Sequence, residues 1–174
     1  KTSDNNIINY YEIDNGNPTL LIIHAQGTNA SSYSKVIKDL SKKFHIILVD
    51  CYGHGKSSHN REKYNIVSQG NDLIEFIEAT IKGNITVLGH SSGGLIACYI
   101  ASNYNCCANL ILEDAPLFSS NGEKRFNCYN YKDLSTVCHN YINQDNESDF
   151  VYYYFMNQYC WNFFPEAYRE KIKN

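Results

Sequence analysis

The pentapeptide Gly89-His90-Ser91-Ser92-Gly93 has the residue types and spacing of a serine nucleophile held in a tight turn. A Gly-x-Ser-x-Gly pattern arises by chance in about 6% of chains of this length, so the pattern alone is a weak signal. Its surroundings strengthen it. The apolar run Ile85-Thr86-Val87-Leu88 precedes it, and the apolar segment Leu95-Ile96-Ala97-Cys98-Tyr99-Ile100-Ala101 follows. A strand that turns sharply into a helix presents the serine hydroxyl at the strand's carboxyl end, with glycines admitting the close approach. The amide of Ser92, first in the helix, is then free to stabilise a developing oxyanion. The chemistry such a turn suits is nucleophilic attack by the serine hydroxyl, with an amide beside the charge that develops.

Such a turn needs a sheet to carry it. Continuous apolar runs stand at Leu20–His24, His45–Asp50, Ile85–Gly89 and Asn109–Asp114. Unbroken apolarity over this length suits parallel strands covered on both faces. Ile7 to Ile13 alternates and predicts an edge strand. Helical spacing fills the gaps. Tyr33, Val36, Ile37, Leu40 and Phe44 follow the candidate N-caps Ser31 and Ser32, and Ile66, Leu73, Ile74, Ile77 and Ile81 repeat the pattern. The reading is an α/β fold, a mostly parallel sheet with flanking helices.

At Pro116 the character changes. Residues 126–168 hold 14 of the chain's 24 aromatic residues in 43 positions, without strand–helix alternation. Residues 1–118 are therefore expected to form the N-terminal part of the core. Residues 119–174 are expected to form a helical, aromatic-rich cap, with Tyr152 to Phe155, Trp161, Phe163 and Phe164 available to line an apolar pocket.

Three stretches together resemble an α/β-hydrolase-fold serine hydrolase, over the N-terminal two-thirds of such a protein. They are His24-Ala25-Gln26-Gly27-Thr28, Asp50-Cys51-Tyr52-Gly53-His54-Gly55-Lys56-Ser57, and the turn at Ser91. The first is similar to the family's His-Gly loop, with Ala25 at the usual glycine. The second is similar to its Asp-x-x-Gly-x-Gly-x-Ser turn, with Tyr52 where arginine is common. The resemblance implies Ser91 as nucleophile and the amides of Gln26 and Ser92 as the oxyanion hole. It implies no cofactor and no metal, and the substrate it suggests is a small, fairly apolar ester or related acyl compound.

A base is harder to find. The family's order is serine, acid, histidine, and the histidine that follows Ser91 in the chain is His139. It lies in the aromatic tail with no sheet strand before it, so its assignment is a surface or cap histidine. His24 and His54 belong to the loop motifs and are expected to hold loops together. Asp114 closes the strand after the elbow, where sites form. A loop-capping role before Pro116 is the favoured reading, with Asp114 as a candidate catalytic acid the competing one. The last strands, the catalytic histidine and the acid with it are accordingly expected outside these 174 residues or on a second chain. A non-catalytic ligand-binding protein of the same fold is the alternative.

Composition bounds the partners. Net charge is −3 and no basic run occurs, which gives no support for a nucleic-acid or membrane surface. The longest apolar stretch, residues 19–25, is far too short to span a bilayer. Seven cysteines without metal spacing and no visible leader lead to the expectation of reduced thiols in a cytoplasmic protein.

Overall fold

The computed structural model describes residues 1–117 together with Glu166 and Glu170. The chain divides into two compact units, Lys1–Leu117 and Phe118–Asn174. In the second, Glu166 and Glu170 are helical and exposed. The expected aromatic cap and His139 lie outside the described residues.

In the first unit a five-stranded sheet has the order β1-β3-β2-β4-β5. Its strands are β1 Tyr10–Ile13, β2 Thr19–Ile23, β3 His45–Val49, β4 Ile85–His90 and β5 Cys107–Glu113. β1 is antiparallel to β3 and forms one edge, as its alternation predicts. The other pairings are parallel. The expected α/β class with a mostly parallel sheet is what the chain adopts.

The unbroken apolarity of β2 and β3 has a direct cause. Alternate residues face opposite layers, so both sets must be apolar when both layers are covered. Leu21, Ile23, Ile47 and Val49 pack with Leu73, Ile77, Ile96 and Ile100, from helices α2 (Ile66–Thr80) and α3 (Ser92–Asn103). Leu20, Ile22, Ile46 and Leu48 face the other way, onto Tyr33, Ile37, Leu40 and Phe44. α2 starts where Asn65 caps it, the side chain accepting the Ser68 amide at 2.8 Å.

Three expectations are corrected. β5 is not covered on both faces among the described residues: Leu110, Ile111 and Leu112 are 38%, 44% and 37% exposed. It is the sheet's other edge, so its apolar run records a demand for cover rather than cover met within this unit. α3 is not buried all round either. Ile96, Ala97 and Ile100 are inside, while Cys98 and Tyr99 are half-buried. The stretch after β2 is not one helix capped by Ser31 or Ser32. Asn29 is the cap, its carboxamide accepting the Ser31 amide at 2.9 Å. A 3-10 turn (Ala30–Tyr33) and the single-turn helix α1 (Ile37–Leu40) share the apolar positions, which leaves Val36 exposed.

The strand order fixes where chemistry can sit. From β2 the chain passes to β3 on one side, and from β4 it passes to β5 on the other. The carboxyl ends of adjacent β2 and β4 therefore flank a topological switch point, the place where loops diverge and leave a crevice. The His24 loop and the Ser91 turn are the two loops concerned. No helix among the described residues is long and apolar enough to cross a membrane.

Candidate active site

Ser91 links β4 directly to α3 with φ 50° and ψ −119°. This left-handed, sparsely populated conformation costs a non-glycine residue about 1–3 kcal/mol. Close packing enforces it. A Cβ on Gly93 would come within 2.5 Å of the carbonyl oxygens of Ile23 and His24, and one on Gly94 within 2.5 Å of Ala115 Cβ. The helix can thus start against the strand ends only if both positions lack side chains. The Ser91 amide donates to Glu113 O at 2.8 Å, and its carbonyl accepts from Gly94 N at 2.9 Å. Its hydroxyl has no hydrogen-bond partner among the described residues. The side chain is half-buried.

Facing it, the loop after β2 is fixed by two histidines. The ring of His24 is buried; its Nε2 accepts the Cys51 amide at 2.9 Å, so Nδ1 carries the proton and donates to Ala25 O at 2.7 Å. Burial, reinforced by nearby His54 and opposed by the Ala25 carbonyl, holds its pKa below the usual imidazole value. His54 Nε2 accepts the Gly27 amide at 2.9 Å, which leaves Nδ1 to donate to Tyr52 O at 3.0 Å. Both nitrogens of both rings are spent on the loops, as their motif positions imply, and neither ring is available as a base for Ser91.

The turn after β3 is anchored by Asp50. Its carboxylate accepts from the Ala30 amide at 2.9 Å, the Lys56 amide at 3.1 Å and Asn9 Nδ2 at 2.8 Å. Burial raises its pKa, but these donors and His24 outweigh it, and the net shift is downward. Gly55 packs so closely over the carboxylate that a Cβ there would overlap it. Tyr52, at the place of the family's arginine, turns inward and donates to Asp72 Oδ2 at 2.8 Å. Burial drives the Cys51 thiol up to about 12, which removes the neighbouring cysteine as a rival nucleophile.

The two expected oxyanion residues do meet. Gln26 N donates to Ser92 Oγ at 2.7 Å across 66 residues of sequence. Ser92 N, first in α3, has no acceptor among the described residues. Asp114 stands on the neighbouring strand end, one residue beyond Glu113, whose carbonyl binds the Ser91 amide. It is exposed, has φ 50°, and its carboxylate has no hydrogen bond among the described residues. Beside Gln26 and Ser92 opens a cavity of about 390 Å³, with Tyr64, Ile66 and Leu95 among its apolar walls and His54 and Gln69 among its polar ones.

Sequence reasoning missed Asn9, Asn29 and Gln69, the last of which accepts the Tyr52 amide at 3.2 Å. Each serves a backbone or carboxylate partner at least 17 residues away or starts a turn by local capping, and only the asparagine before a turn leaves a sequence signal. A metal-type cluster among the described residues, Glu12, Asp14 and His45, lies at the opposite end of the sheet from Ser91. There His45 Nε2 is paired with Glu12 at 2.8 Å and Nδ1 faces Thr19 Oγ1 at 3.2 Å.

Residues 18–157 match the family model described as the alpha/beta hydrolase fold. The chain belongs to that family. As an α/β hydrolase it is similar to a human serine hydrolase-like protein, 30% identical over 118 residues, which are 66% of this chain and 58% of that one. It is also similar to an esterase (EaEST) from Exiguobacterium antarcticum, at 28% identity and TM-score 0.58, covering 64% of this chain and 42% of the other. A hydrolase from Pseudomonas aeruginosa PA01 shares the fold at 20% identity and TM-score 0.75, covering 99% of this chain and 63% of that one. Matches to the curated relatives span between 28% and 58% of those proteins' own lengths.

Proposed function

We propose that this α/β hydrolase is a serine hydrolase of carboxylic esters or closely related acyl compounds, with Ser91 as nucleophile. The observation that carries the reading is Ser91 itself, a non-glycine residue at φ 50° and ψ −119° whose hydroxyl has no partner among the described residues, with the start of α3 directly behind it. Strain of this kind persists only where the surrounding packing over-determines it.

In the mechanism, Ser91 Oγ bonds to the substrate carbonyl carbon while the carbonyl π pair moves onto oxygen. The hydroxyl proton passes to an imidazole base that lies outside the described residues, further along the chain or on a second chain. The amides of Ser92 and Gln26 hold the oxyanion. Collapse expels the alcohol, which takes the proton, and water then repeats the sequence to release the acid. Asp114, on the next strand end with a carboxylate that meets no partner among the described residues, is the acid that would orient the imidazole. The apolar walls Tyr64, Ile66 and Leu95 of the adjoining cavity favour a small, uncharged, fairly apolar substrate. Similarity to the human serine hydrolase-like protein and to the Exiguobacterium esterase supports the serine and ester assignments.

The test is covalent labelling of the full-length protein with a fluorophosphonate, read by intact mass and peptide mapping. One adduct at Ser91, lost in Ser91→Ala, is expected. A folded protein that takes up no label at Ser91 would make it a ligand-binding member of the fold instead.

A further inference from the structure

One of the two oxyanion donors is already in use. The Gln26 amide points at Ser92 Oγ, 2.7 Å away, a full-strength hydrogen bond by distance. An N–H so engaged can share with a second oxygen only by weakening both bonds. Ser92 therefore plays two opposed parts: its amide is open to the hole, while its hydroxyl covers the other donor.

Whether that hydroxyl covers the donor or supports it depends on what else holds the loop. Gly27 N is bonded to His54 Nε2 at 2.9 Å, and Thr28 donates to Ala25 O through its amide at 3.2 Å and its hydroxyl at 2.8 Å. His24 ties Ala25 O to the Cys51 amide through its ring. The residues on both sides of Gln26 are thus fixed without Ser92. The Ser92 side chain, by contrast, is half-buried and borders the cavity of about 390 Å³. It has room to leave Gln26 by rotation about χ1, which needs no backbone movement.

We infer that Ser92 is a positioning residue whose hydroxyl occupies the Gln26 amide in the free protein and yields it to the substrate oxygen when the tetrahedral intermediate forms. This rests on the serine-hydrolase reading above and adds a step to it. The bond to Ser92 must break before the oxyanion gains its second donor. Part of the stabilisation offered by Gln26 is spent on that exchange.

The test uses the full-length protein and an aryl trifluoromethyl ketone. Ser91 Oγ adds to its carbonyl carbon, the π pair moves to oxygen, and the serine proton goes to the imidazole base. The corresponding methyl ketone, which adds poorly, reports ground-state binding. Removing a net hydrogen bond from the free state should tighten the trifluoromethyl ketone about three- to tenfold in Ser92→Ala. The methyl ketone should change less than twofold. Ser92→Thr, which keeps the acceptor oxygen, should stay near wild type or bind more weakly. In ¹⁵N-labelled protein the Gln26 amide proton should move upfield in Ser92→Ala and remain in place in Ser92→Thr. Equal or weaker binding by Ser92→Ala, or an unmoved Gln26 resonance, overturns the inference while leaving Ser91 as nucleophile. Absence of any Ser91 adduct in the wild type overturns the hydrolase reading, and this inference with it.

Discussion

The two ends of the sheet treat similar sequences differently. On the β2–β3 side every strand residue from Leu20 to Ile23 and from Ile46 to Val49 is buried, and the loops above are cross-linked by His24, Asp50 and His54. On the β5 side the run Leu110-Ile111-Leu112 is equally apolar yet exposed, and Asp114 above it has no polar partner within the described residues. The first side carries the candidate oxyanion loop, its backbone held by these cross-links. The second carries the candidate acid and no base. Within residues 1–117 a cross-linked loop cluster on one side stands against a strand end on the other whose exposed Asp114 carboxylate meets no described partner.

The sharpest way to break this contrast is to exchange one carboxylate on each side. In the full-length protein Asp114→Asn is expected to lower kcat by about 10⁴-fold with a stability change under about 0.5 kcal/mol, because nothing described leans on it. Asp50→Asn should do the reverse. Three donors converge on that carboxylate, and hydrogen bonds to charged groups contribute about 1.5–3 kcal/mol each, so a loss of about 2–4 kcal/mol is expected in urea unfolding. If Asp114→Asn left turnover intact, the acid would have to be sought elsewhere.

Core truncations sharpen the same comparison. Ile47, 1% exposed between two packed layers, should cost about 3–4 kcal/mol as Ile47→Ala. Ile111, at 44% exposure, should cost about 1 kcal/mol or less as Ile111→Ala in this 174-residue chain. Equal losses by urea titration would mean that β5 is covered in solution.

These pairs also mark what the sequence made legible. β2, β3 and β4 could be read because burial on both faces forces unbroken apolarity. The turn at Ser91 could be read because only glycines permit helix and strand to approach so closely. The exposure of β5 could not be read: Leu110 to Leu112 carry the signature of a covered strand whether or not the cover lies within the same unit. Nor could the bond between Gln26 and the Ser92 hydroxyl, since the motif fixes backbone amides and says nothing of a side chain meeting one of them across 66 residues. The Tyr52–Asp72 pair escaped for the same reason, being a tertiary substitute for a residue that the motif usually supplies.

A smaller effect concerns acid. The pKa of His24 is depressed in the folded state by burial, so protonation favours unfolding. The stability that His24 contributes is complete above its unfolded pKa of about 6.5 and is lost as pH falls below it. Asp50, also depressed, keeps its contribution down to about pH 4 and loses it below. Two acid steps are therefore expected on the braced side, an upper one from His24 and a lower one from Asp50. Thermal unfolding followed from pH 7.5 to 3 should show both, with the upper step absent from His24→Gln. A single step near pH 4 in the wild type would contradict the buried, neutral ring.

The smallest expected effect separates two residues that share a φ of 50°, Ser91 and Asp114. Aspartate tolerates the left-handed region better than most residues, because its short polar side chain can bond locally. Ser91 has ψ −119°, far from the left-handed helical well near +47°. Its conformation suits glycine alone. Replacement by glycine relieves about 1–3 kcal/mol of strain, offset by about 0.5–1 kcal/mol for the greater freedom of glycine in the unfolded chain. Ser91→Gly should therefore stabilise the protein by about 1 kcal/mol while abolishing labelling and turnover. Asp114→Gly should gain about 0.5 kcal/mol or less. A Ser91→Gly protein no more stable than wild type would mean that the elbow is not strained, and the nucleophile would lose its main structural support. A gain at Ser91 that exceeds the gain at Asp114 ties the strain to the proposed nucleophile rather than to strand ends in general.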